Sequence, residues 1–136
     1  MKLVICAQDI QSIIFGLVGE GDIPKEVVVE TQPEGYLQAL DDTLKTWGIL
    51  PTALHEILVV SGPGSFTSSR VSTTIANSLA FAQGIPIRGI ENPQHLPLRE
   101  LLSKAASQQE THVVPSYDRP ANITQKKKSN GDNKAD

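Results

Sequence analysis

Cysteine is nearly absent from this chain, and Cys6 alone can form neither an intramolecular disulfide nor a thiolate metal cluster. Its place after the apolar residues Leu3 to Ile5 predicts a buried small hydrophobe rather than a reactive thiol. Long apolar runs are missing too: nothing approaches the ~20 residues of a membrane-spanning helix, and no charged-then-apolar leader opens the chain. The expected location is cytoplasmic. Positive charge is scarce. The formal charge is −3 over 136 residues, which argues against a basic face able to replace phosphate counterions on nucleic acid. Residues 1–100 carry six Lys/Arg against eleven Asp/Glu, or −5, whereas residues 101–136 carry six against four, or +2. An acidic globular part followed by a mildly basic tail is expected.

Catalytic patterns are equally sparse. His55, His95 and His112 lie far apart and make no i, i+4 ligand pair, so no metal site is expected. His55-Glu56 falls in a helix–strand link, where a solvated pair is expected. Asp41 and Asp42 are adjacent on a helix, do not face each other as an acid–base dyad would, and are expected to be solvated.

What the sequence does contain is alternating strand and helix patterning. Leu3 to Ala7 suits a strand buried on both faces. Ser12 to Val18 reads as a second strand, Gly19-Glu20-Gly21-Asp22 as a turn, and Val27-Val28-Val29 as a third strand, together an antiparallel meander. Tyr36, Leu40, Leu44 and Trp47 then recur at helical spacing, with Leu37 beside them and Gly48 as a stop. Ile57 to Val60 is a fourth, central strand, and a second helix runs from about Ser68 to Gln83, closed by Gly84. A fifth strand starts at Ile85 and ends near Ile90. The order βββαβαβ predicts an α/β domain over 1–92. A short helix is expected within 94–109, from Leu96, Leu98, Leu101 and Leu102. The stretch 125–136 has nothing to bury and is expected to be disordered.

The segment Ser61-Gly62-Pro63-Gly64-Ser65-Phe66-Thr67-Ser68-Ser69-Arg70 links the fourth strand to the second helix. Its glycines could form a backbone nest for a phosphate. They could equally permit a sharp turn and close strand–helix approach, with Ser or Thr capping the helix. No Gly-Lys-Ser/Thr follows, so the Walker pattern is absent, and Pro63 stands two before Ser65 where a nucleophile elbow requires glycine. The residues alone favour the structural use.

Gly62, Pro63, Gly64, Ser65, Phe66 and Thr67, then Arg70, Ala76, Leu79 and Ala80, then Gly84-Ile85-Pro86-Ile87, resemble the signature of the TsaB (YeaZ) family. That family partners TsaD in making threonylcarbamoyladenosine in tRNA and belongs to the actin/Hsp70-like ATPase superfamily, so the resemblance implies half of such a fold. After the first strand the family pattern reads Asp-Thr-Ser; here Cys6-Ala7-Gln8 stands instead, and neither Cys6 nor Ala7 can hold a hydrated metal as a carboxylate would. Asp9 is expected to cap or turn the hairpin. The older glycoprotease label carried by relatives has no support in these residues.

The resemblance therefore implies a non-catalytic scaffold that binds and activates a TsaD-like subunit, with ATP and metal held by that partner and none by this chain. A TsaE-like ATPase in the complex, a homodimer through the same helices, and only indirect contact with tRNA are further implications. The implied interface residues are Leu37, Leu44 and Trp47 on the first helix, with Arg70, Thr73, Ala76 and Asn77 on the second. Two stripes on the second helix, Val71/Ile75/Leu79/Ala82 and Ser72/Ala76/Ala80, compete for the sheet, and spacing does not decide between them. Ser68 and Ser72 stand where relatives commonly carry glycine, and Thr31-Gln32-Pro33-Glu34 departs from their usual approach to the first helix. Residues 93–124 read as the remnant of a second domain, closing on Val114-Pro115-Ser116-Tyr117-Asp118-Arg119-Pro120, which resembles the family's Pro-x-Tyr-x-Arg segment. Two other readings stay open: a nucleotide-binding transferase half-site using the glycine-rich loop, and a degenerate member without activity.

Overall fold

A computed structural model of the chain describes residues 1–19 and 25–103. Residues 20–22 of the turn expected at Gly19-Glu20-Gly21-Asp22, the Pro-x-Tyr-x-Arg segment and the tail at 125–136 lie outside them. Five strands form one sheet in the order β3-β2-β1-β4-β5. They are β1 (Lys2–Cys6), β2 (Ser12–Val18), β3 (Lys25–Glu30), β4 (Glu56–Gly62) and β5 (Ile87–Glu91). The first three pair antiparallel as the meander predicts, while β4 pairs parallel to both β1 and β5. Between them run α1 (Tyr36–Trp47) and α2 (Phe66–Gln83), and α3 (Leu98–Ser103) follows β5.

Both faces of the central strands are covered, which is why β1 and β4 read as unbroken apolar runs. Leu3, Ile5, Phe15, Ile57, Val59 and Ile87 pack toward α1 and α2 together with Tyr36, Leu40 and Leu44. On the opposite face Val4, Cys6, Leu58, Val60 and Ile90 lie beneath Leu98 and Leu101 of α3. Cys6 is buried as expected, and that burial, reinforced by the charge of Glu26, pushes its thiol pKa up to about 12 despite an opposing hydrogen bond to the Gln8 backbone. Both long helices stop where expected, at Gly48 and Gly84, whose φ angles of +68° and +66° are open to glycine at little cost.

One expectation is corrected, and one choice the sequence left open is decided. Glu56 is not a solvated neighbour of His55: it is only 3% exposed. It opens β4 beside Lys2 of β1, in register with it, and one strand from Arg88 of β5. Lys2 Nζ lies 3.1 Å from one carboxylate oxygen and Arg88 Nη2 2.7 Å from the other. A carboxylate buried this deeply is tolerated only when paired, since several kcal/mol of hydration is lost per ion. His55 stays exposed, its ring 2.8 Å from the Met1 amine. The choice left open concerns α2, whose small residues face inward. Ser68, Ser69, Ser72, Thr73, Ala76 and Ala80 are buried, while Val71, Ile75 and Leu79 are only half covered. The bulk of Ser68 and Ser72 therefore bears on the chain's own packing, not on the approach of a partner. Two of these hydroxyls turn back on the helix, Ser72 Oγ and Thr73 Oγ1 donating to the Ser69 carbonyl at 3.3 and 2.7 Å.

Candidate functional site

The residues singled out by sequence separate into an outward helix face and a closed turn at its head. On the face, α1 contributes Leu37, 65% exposed, and α2 contributes Phe66 at 45% and Phe81 at 88%. Between the helices lies a groove of about 560 Å³ bordered by Glu34, Leu37, Asp41, Leu44, Pro51 and Leu79. A second hollow of about 270 Å³ is lined by Phe66, Arg70, Val71 and Ile75. The Arg70 guanidinium sits 5.3 Å from the centre of the Phe66 ring, so the cation lies over an aromatic surface at the start of the helix. Asp41 is paired with Lys45 one turn on at 2.9 Å, and Gln38 donates to Asp42 at 2.9 Å, both at the surface as expected.

Of the seven interface residues implied by sequence, Leu37 and Arg70 are exposed and Trp47 and Asn77 are half-buried. Leu44, Thr73 and Ala76 are turned into the core. Leu44 offers a partner only its edge at the floor of the groove, and Thr73 and Ala76 offer nothing. Trp47 packs on the core and lines a separate hollow with Val27, Val29 and Ala39. Phe81 was missed. Its signal was available: Phe66, Arg70, Asn77 and Phe81 follow one another at intervals of four, seven and four, which places them along one side of a helix.

The turn at the head of α2 is held by Gln8, the third residue of the altered Cys6-Ala7-Gln8 segment. Its Nε2 donates to the Pro63 carbonyl at 2.6 Å and to the Asn92 carbonyl at 2.8 Å. Asn92 Nδ2 donates back to Gln8 Oε1 at 3.1 Å. The Ser65 backbone N–H donates to the Gln8 carbonyl at 3.1 Å. Gly64 is required by this approach, because a Cβ there would stand 2.8 Å from Gln8 Cα. Ser65 then caps α2, its hydroxyl accepting from the Ser68 N–H at 3.3 Å. Asp9 turns the hairpin, its carboxylate accepting from the Gln11 N–H at 2.9 Å. A buried phenol completes the corner: Tyr36 Oη donates to Ser68 Oγ at 3.0 Å, and Ser68 Oγ to the Asp9 carbonyl at 3.3 Å. Burial raises the Tyr36 pKa, against the lowering effect of the Ser68 hydrogen bond. Gly64 thus serves close approach and Ser65 the cap, and the Gln8 carboxamide occupies the space between the ends of β1, β4 and β5.

Among the described residues no three His, Cys, Asp or Glu side chains converge as metal ligands, and no helix is long and apolar enough to cross a membrane.

Comparison with known proteins bears on the family and the fold. The family model described as TsaD, tRNA N6-adenosine threonylcarbamoyltransferase, matches residues 21–118. The tRNA threonylcarbamoyladenosine biosynthesis protein TsaB of Bacillus subtilis is 33% identical over 60 residues, which are 44% of this chain and 26% of that protein. A tRNA N6-adenosine threonylcarbamoyltransferase of Geobacter metallireducens is 28% identical over 72 residues, 53% of this chain and 21% of that protein. Among solved structures, YeaZ from Pseudomonas aeruginosa shares the fold with a TM-score of 0.59 at 22% identity, over 67% of this chain and 43% of that one. The chain thus spans less than half the length of these relatives.

Proposed function

We propose, from the premise that this chain belongs to the TsaD/TsaB family of tRNA threonylcarbamoyladenosine biosynthesis proteins, on its TsaB (YeaZ) side, that it is a non-catalytic partner subunit. It binds and activates a TsaD-like catalytic subunit through the outward face of α1 and α2. The observation that carries this reading is the apolar surface left on those helices after folding, with Leu37 and Phe81 more exposed than covered and a groove bordered by Leu37 and Leu79 between the helices. Large apolar side chains grouped on one side of a folded domain favour a protein partner. The closed turn supports the non-catalytic part, because the Gln8 carboxamide is already committed to Pro63 and Asn92. On this reading ATP and metal belong to the partner, a TsaE-like ATPase joins the complex, tRNA is met only through the partner, and the same helix face is the one that would self-associate.

Co-purification with the TsaD-like protein of the same cell, followed by threonylcarbamoyl transfer with and without this chain, tests the proposal. Capture with stimulated transfer is expected; failure to capture overturns it. The match to a transferase and the glycine-rich turn keep a nucleotide-binding reading as the rival. Thermal stabilisation of the isolated chain by ATP would favour that rival, since a ligand bound to the native state must raise its stability.

A further inference from the structure

We infer that Gln8 is a positioning residue for the docking face: by tying the Gly62–Gly64 turn to the end of β5, it fixes the first turn of α2, with Phe66 and Arg70 on it, where the partner meets them. This rests on the partner-subunit reading above and adds to it the residue that presets the surface.

A primary amide offers two donors and two acceptor positions. In Gln8 both donors are used, on the Pro63 and Asn92 carbonyls, and Oε1 accepts from Asn92 Nδ2 at 3.1 Å and weakly from Cys6 Sγ at 3.7 Å. Its backbone carbonyl takes the Ser65 N–H, the residue that caps α2. Asn92 is itself fixed, buried to 2% exposure, with its N–H on the Gly62 carbonyl at 2.8 Å and its side chain closing a ring with Leu96. Segments 55 and 84 residues away from Gln8 in sequence therefore meet on one side chain. The apolar contacts that hold α2 to the sheet are made further along, by Ala76 and Ala80. Loss of the carboxamide should accordingly loosen the Gly62–Gly64 turn and with it the placing of Phe66 and Arg70, while Ser68, held by Tyr36, and the rest of the helix stay on the sheet.

The test compares Q8A, Q8E and a core control, I13V, in the full chain, by titration against the TsaD-like subunit. I13V lies on β2, away from the turn, and trims a buried side chain. Q8E keeps the shape of glutamine but loses both donors and sets a carboxylate against two carbonyl oxygens. At pH 8, Q8A and Q8E should bind at least about tenfold more weakly than wild type, with I13V unchanged. The carbonyls favour the protonated form of the introduced acid and raise its pKa above the ordinary ~4.3. Binding by Q8E should then recover as the pH is lowered toward about 5, because the protonated carboxyl regains a donor. Cys6, with its pKa pushed up to about 12, remains a thiol throughout this range. Reading Q8E as a ratio to wild type at each pH cancels contributions from Asp9 in the next turn, Glu91 at the end of β5 and His95 beyond it. Wild-type capture with Q8E bound equally well at pH 8, or with I13V weakened as much as Q8E, overturns the inference alone. Absence of wild-type capture overturns the partner reading and the inference together.

Discussion

On the inward side of α2, Ser69, Ser72, Thr73, Ala76 and Ala80 lie against the sheet, while on its outward side Phe66, Val71, Ile75, Leu79 and Phe81 keep part or most of their surface. An amphipathic helix ordinarily buries its large side chains and exposes its small ones. The reversal here follows from the sheet, whose Leu3, Ile5, Phe15, Ile57, Val59 and Ile87 already fill the space between the layers. Interiors pack to nearly crystalline density, so a helix above such a sheet must contribute little volume. In α1 the usual arrangement holds, with Tyr36, Leu40 and Leu44 inward and Leu37 outward. The two helices thus present a shared outer surface by opposite routes. Apolar area left outside in this way contributes nothing to folding and stays available for burial against a partner.

The comparison can be broken most severely on α1. Leu44→Ala removes a buried side chain and should cost about 2–5 kcal/mol, read from urea unfolding, whereas Leu37→Ala should shift stability by no more than about 0.5 kcal/mol. Equal costs for the two leucines would show that the division into inner and outer faces is wrong. On α2 the corresponding break is Ala76→Phe. A large ring inserted against the sheet should destabilise by about 1–3 kcal/mol or more, while the larger natural residue at position 75 is tolerated because it borders the open hollow beside Phe66 and Arg70. A thermal midpoint unchanged in the Ala76 variant would mean that α2 does not sit closely on the sheet.

Much of the architecture was legible before any coordinates, because period-two and period-3.6 patterns switch cleanly between segments and glycine marks both helix ends. The signature turn was legible in its structural use, with Ser or Thr as the expected cap, although the helix starts at Phe66, two residues before the expected Ser68. The orientation of α2 was not. Its two stripes, one large and one small, are each continuous, and the choice between them is made by the volume of strands distant in sequence. Glu56 was misread for a similar reason: its partners Lys2 and Arg88 are brought beside it only by the pairing of β1, β4 and β5. The role of Gln8 was invisible because a lone glutamine has no pattern, and its contacts lie 55 and 84 residues away.

A finer probe of the inner side is its cap. Ser65→Ala removes the side-chain acceptor for the Ser68 N–H and should cost about 1 kcal/mol. Ser65→Gly should cost only a few tenths, because glycine leaves the cap N–H groups open to water. The Gln8 carboxamide keeps its bonds to Pro63 and Asn92 in both variants, so partner capture should fall less than in a Gln8 variant of equal stability. Capture lost in parallel with stability across all three would merge cap and carboxamide into one structural role.

The smallest expected change in stability falls on the outermost residue. Phe81 is 88% exposed near the end of α2, so its ring is almost as hydrated in the folded chain as in the unfolded one. Phe81→Ser should then leave the unfolding midpoint within about 0.5 kcal/mol of wild type, a result expected for a surface position and for no position on the inner face. Its effect should appear only when a partner is present, as weaker capture of the TsaD-like subunit at unchanged stability. That combination separates a surface kept apolar for contact from one that is apolar by accident of composition. Stability lowered by more than a kcal/mol would place Phe81 in the core, and capture unchanged would confine the contact to the Leu37–Leu79 groove.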